Sequence, residues 1–186
     1  MEVKGTAAKS IPDFVGRRFK DQYFEWLNAL PEKSRKIMMD GLKTNLWYPI
    51  EDAAIMPTQM IGEVFYNGDI QKGAWECGKY SAEVALKGIY KVYVKLSKPE
   101  HIIDRASRIF SAYYQPSEMS VTEKGKNYVQ LSVTKFPTPS TVIEYRIAGW
   151  MQTAMEISGC NNVKVEIPKS LAKGARETIF HVSWNN

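Results

Sequence analysis

The hydrophobic period of the chain changes near residue 115, and that change constrains the fold more than any single motif. Before it, apolar residues recur at three- and four-residue spacings, as on amphipathic helices. After it, they alternate with polar residues, as on half-buried strands, with one further helical stretch between them.

The helical part divides at its prolines and glycines. Residues 12–30 carry Phe14, Val15, Phe19, Tyr23, Trp26 and Leu27 on one stripe, and Pro31 ends it. A second helix is expected to run from Pro31 or Glu32 to Asn45, followed by a turn at Trp47-Tyr48-Pro49. A third covers residues 52–66 and stops at Asn67-Gly68. Residues 70–96 read as one long helix bent near Gly88, although the run 89–94 is β-branched and aromatic enough to form a strand. Residues 99–114 read as one more helix, with Pro99 in its first turn.

The second part predicts a hairpin of residues 118–122 and 127–136, then a helix from Ser140 to Ile157 closed by Gly159, then strands 162–168 and 177–184. The class is therefore α+β: N-terminal helices packed with a four-stranded antiparallel sheet in a β-β-α-β-β C-terminal unit. At 186 residues and 44% hydrophobic composition, residues 1–186 form a single domain, with residues 1–11 expected as a flexible start.

Several function classes are excluded or left without support. The net charge of +5 is spread along the chain, so no nucleic-acid partner is expected. No apolar run is long enough to span a bilayer or act as a secretory signal, so the expectation is a cytoplasmic protein without membrane insertion. Cys77 and Cys160 are too few for a disulfide framework, and His101 and His181 too few for a zinc site. Residues 73–79 match G-x-x-x-x-G-K, but Tyr80 stands where a magnesium-binding hydroxyl is needed, and no strand precedes the motif. Lys87, Lys91, Lys95 and Lys98 form a helical stripe that reads as a solvated face. No nucleophile elbow supports an enzyme, and the chain is expected to be non-enzymatic. Met60, Tyr90, Tyr93, Phe110, Tyr113, Met151 and Met155 are adaptable or amphipathic side chains able to line a soft apolar pocket, or simply to fill the core.

The Leu30-Pro31 junction, Trp47-Tyr48-Pro49, Gly78, residues 99–114, Gly149, Gly159 and the closing Phe180-His181-Val182-Ser183-Trp184 together resemble a known superfamily. It joins 4-vinyl-reductase-type small-molecule-binding domains, heme nitric-oxide-binding domains and TRAPP trafficking-complex subunits. Within it, the chain is most similar to a bacterial family related to the heme nitric-oxide-binding domains. The resemblance implies a cavity between helices and sheet that holds a small apolar molecule and signals through a homodimer or a partner protein. It also implies two alternatives: a protein-interaction scaffold without ligand, and a haem gas sensor using His101. His101 completes the pocket candidates, since it lies roughly where the haem-binding relatives carry their axial histidine. The Tyr-x-Ser-x-Arg motif that grips haem propionates in those relatives is missing, and residues 131–136 read Leu-Ser-Val-Thr-Lys-Phe. No cofactor is therefore expected.

Overall fold

The computed structural model describes residues 1–87 and 99–185. It has eight α-helices and two antiparallel sheets among those residues. The smaller sheet places strand β1 (Glu2–Lys4) between β2 (Trp47–Pro49) and β3 (Tyr114–Gln115), with Val3 opposite both Tyr48 and Tyr114. Residues 1–11, expected to be a flexible start, thus form a central strand and the first turns of helix α1 (Gly5–Arg18). Val3, Ala8 and Ile11 are fully buried, and burying that apolar surface orders the segment.

The expected helix over residues 12–30 is two helices. A 3₁₀ turn at Lys20–Gln22 separates α1 from α2 (Tyr23–Ala29). Phe19 leaves helical geometry there and stacks on Phe65, with ring centroids 4.0 Å apart. Trp26, fully buried on α2, donates its indole N–H to the Pro57 carbonyl at 3.0 Å. Helix α3 (Glu32–Asp40) follows, and a π-helical turn at Glu51–Ile55 leads into α4 (Met56–Phe65). Residues 73–79 lie inside helix α5 (Ile70–Lys87), so the G-x-x-x-x-G-K match is not a phosphate loop. The expected bend at Gly88, Tyr90, Tyr93 and most of the lysine stripe lie outside the described residues. The single helix expected over 99–114 is α6 (Pro99–Ile103) and α7 (Ala106–Tyr113), interrupted at the exposed Asp104 and Arg105.

The larger sheet has the order β4-β5-β7-β6, built from β4 (Glu118–Lys124), β5 (Tyr128–Lys135), β6 (Asn161–Lys169) and β7 (Thr178–Asn185). Alternation puts Val129, Leu131 and Val133 of β5 and Phe180, Val182 and Trp184 of β7 into the core. Helix α8 (Thr141–Ile157) lies between the β4–β5 and β6–β7 hairpins in sequence and packs against α5 and β6 in space. The α5–α8 crossing is a backbone contact. A Cβ on Gly78 would meet the Arg146 carbonyl oxygen, and one on Gly149 would meet that of Trp75, so both sites require glycine for close approach.

Candidate functional site

Arg146 is the least expected residue of the core. It sits on α8 in the stripe of Ile143, Ile147 and Trp150, and is 3% exposed. Its Nη2 donates to the Ala7 carbonyl at 2.7 Å and to Ser10 Oγ at 2.8 Å, and its Nη1 to Tyr114 Oη at 3.2 Å. Its Nε makes no hydrogen bond of ordinary length, and the Cys77 thiol is a further, weak polar neighbour of the guanidinium. Burial pushes the Cys77 thiol and the Tyr114 hydroxyl up, with Arg146 pulling each the other way. Both stay protonated near neutral pH, so neither neutralises the guanidinium. Burial works against the Arg146 charge while Tyr114 and Cys77 favour it, and its pKa lies above the ordinary value. Among the described residues no carboxylate pairs with it.

Arg146 borders a cavity where helices and sheet meet. Its floor is Val129, Leu131 and Val182 of the larger sheet, and Ile102, Ile103, Ile109, Phe110 and Tyr113 of α6 and α7 cover it. Along α8 the wall is Ile147, Trp150, Met151, Ala154 and Met155, and Ala7, Ser81 and Tyr114 close the end beside Arg146. The cavity volume is about 70 Å³. That is well below the roughly 300–1,000 Å³ of ordinary small-molecule sites, so the site is mostly closed by its own side chains and must open to take up a molecule larger than a few waters. The Trp150 indole N–H is buried and, like Arg146 Nε, lacks a partner. Residues 146 and 150 are one helical turn apart, so two residues that line the cavity each carry a buried, orphaned donor on one face of α8.

Of the pocket residues expected from sequence, Phe110, Tyr113, Met151 and Met155 line this cavity. Met60 does not: it is half-buried on α4, against another part of the core. His101 does not either, because α6 turns it to solvent while its neighbours Ile102 and Ile103 face inward. Sequence reasoning missed Arg146 and Trp150. The signal was available, since a charged residue at the i+3 position from Ile143 falls on the apolar stripe and not on the solvent face.

On β5 the residues that border the cavity are Val129 and Leu131. The polar ones are engaged elsewhere: Gln130 Nε2 donates to Thr122 Oγ1 at 3.1 Å, Ser132 Oγ to Glu177 at 2.6 Å, and Lys135 Nζ to Glu118 at 3.2 Å. No group of three or more His, Cys, Asp or Glu among the described residues is arranged to hold a metal ion, and no described helix is long and apolar enough to cross a membrane.

No protein-family model matches the sequence, and no curated protein matches it. Solved structures do. The Fe(II) unliganded H-NOX protein from K. algicida has a TM-score of 0.70 at 13% identity, covering 98% of this chain and 97% of its own. The H-NOX protein from S. oneidensis in the Fe(II)NO ligation state has a TM-score of 0.73 at 14% identity, covering 98% and 99%. A structure concerned with heme redox potential and protein-induced porphyrin distortion has a TM-score of 0.66 at 9% identity, covering 97% and 99%. These proteins are described with Fe(II) or heme, which corrects the expectation that no cofactor belongs with this fold. The chain thus shares the fold of H-NOX domains over nearly its whole length.

Proposed function

We propose that this chain is a non-enzymatic, ligand-binding sensor domain whose signal is the occupancy of the cavity between α6, α7, α8 and the larger sheet. The observation that carries the reading is the cavity itself, an apolar site holding two orphaned donors inside an H-NOX fold. The output is a change of contact with a second copy or a partner protein in the same compartment, the cytoplasm. The wider grouping with 4-vinyl-reductase-type domains and trafficking-complex subunits belongs to the same reading.

Haem is the group to test first, because proteins of this fold are described with Fe(II) or heme. The residues present do not fit a histidine-ligated haem with a basic propionate clamp. Among the described residues no histidine lines the cavity, and the strand expected to supply the clamp offers Val129 and Leu131 to it. Arg146 is the one cation among the described residues lining the cavity, so at least one of the two propionates would be buried without a charged partner, which is costly. Met119, Met151, Met155, Tyr113 and Tyr114 border the site and are of residue types that ligate haem iron. A haem in this cavity therefore requires a ligand set other than His101.

The test is native mass spectrometry of freshly purified protein, followed by titration with haem under reducing conditions and carbon monoxide. Release of one bound molecule per chain, or a one-to-one complex with a defined visible absorption band, supports the reading. If no species is bound or taken up, and Phe110→Ala costs about 3 kcal/mol or more as a plain core truncation does, the cavity is packing and the sensor reading falls.

A further inference from the structure

Arg146 Nε and Trp150 Nε1 are buried donors without acceptors, and neither side chain can itself accept a hydrogen bond. Their missing partner is therefore an acceptor. A water could satisfy either N–H, but not the charge of Arg146, which no carboxylate among the described residues offsets. A small inorganic anion would offset the charge but leave the surrounding Ile103, Phe110, Leu131, Met151 and Met155 against water. The group that answers both observations is a carboxylate at the end of an apolar body.

We infer that the cavity recognises a carboxylate-bearing amphipathic molecule, of which a straight-chain fatty acid is the simplest, with Arg146 and Trp150 holding the head group. The remaining hydrogen bonds of Arg146, to Ala7, Ser10 and Tyr114, fix the guanidinium in place before the ligand arrives, so little side-chain freedom is lost on binding. The chain of the ligand runs under α6 and α7, which must separate from α8 to admit it, since the space open to a water-sized molecule is only about 70 Å³. The inference rests on the sensor reading only in that the cavity admits a ligand.

The experiment is calorimetric titration of the full chain, stripped of bound lipid, with decanoate and with decan-1-ol below their aggregation limits. Decanoate is expected to bind about tenfold or more tightly than decanol, the size of one charge-assisted hydrogen bond. Arg146→Met should abolish that preference while keeping decanol binding. Trp150→Phe, which keeps the ring and removes the N–H, should weaken decanoate several-fold and leave decanol unchanged. Should Arg146→Met fail to fold, Trp150→Phe carries the test. Equal binding of the two compounds by the parent, or a preference that survives both substitutions, overturns the inference while the cavity reading stands. Uptake of haem with neither alkyl compound bound has the same meaning. No binding of any of the three overturns both.

Discussion

A guanidinium sealed from water among neutral partners costs free energy that packing alone does not return, whereas a buried carboxylate saturated with donors does not carry that penalty. The core holds one of each. Glu144 accepts from Ser170 Oγ at 2.6 Å and from Thr178 Oγ1 at 2.5 Å, and so ties α8 to the β6–β7 connection. Glu144→Ala strands both hydroxyls and is expected to lower unfolding free energy by about 3 kcal/mol in urea melts. Arg146→Met is expected to cost less than Glu144→Ala, because Ser10 Oγ lies 2.7 Å from the Ala7 carbonyl and 3.0 Å from Ser81 Oγ, so of its partners only the Tyr114 hydroxyl is stranded while a buried charge is removed. A loss as large as that of Glu144→Ala would instead make Arg146 a structural residue. In the sequence both charges stand inside an apolar helix, and their positions on its stripe were legible. Their partners were not, because Ala7, Ser10 and Tyr114 come from distant segments.

Elements were legible where one face is wet and the other dry. The alternation of β5 and the length of α8 follow directly from the sequence pattern, as does the end of α8 before Gly159. Helix breaks were not, since Phe19 and Asp104-Arg105 interrupt patterns that would continue in isolation, and tertiary stacking on Phe65 decides the first. The closest approach of two elements is the α5–α8 crossing. Gly78→Ala forces a methyl against the Arg146 backbone and is expected to cost about 3 kcal/mol, read as a lowered thermal midpoint. At the sheet, hydrogen bonds from Ser132 and Lys169 hold the Glu177 carboxyl below its ordinary value near 4.5. Its contribution to stability is complete above that value and is lost as pH falls through the lower, folded one. Ser132→Ala should therefore remove part of the acid-induced loss of stability below pH 4.5, measured by comparing denaturant midpoints across pH.

At the scale of the molecule, occupancy and stability are linked. A ligand present at a hundredfold its dissociation constant adds about 2.7 kcal/mol to unfolding, so a thermal midpoint that rises with decanoate in the parent, and not in Arg146→Met, reads binding without any label. The α+β class and the succession of elements were visible from periodicity; the three-stranded sheet was not, because its strands have two or three residues each and lie far apart in sequence.

The central position of Glu2–Lys4 bears on the order in which the protein is made. Residues 2–4 can pair with β2 early in synthesis, but Gln115, whose side-chain amide reaches Glu2 at 3.0 Å, and Arg146, which holds the Ala7 carbonyl, follow more than a hundred residues later. At about 5–20 residues per second, one edge of β1 and the underside of α1 wait several seconds for their partners. Strand β1 and the first turns of α1 are thus apolar surface that stays open while more than a hundred further residues are added.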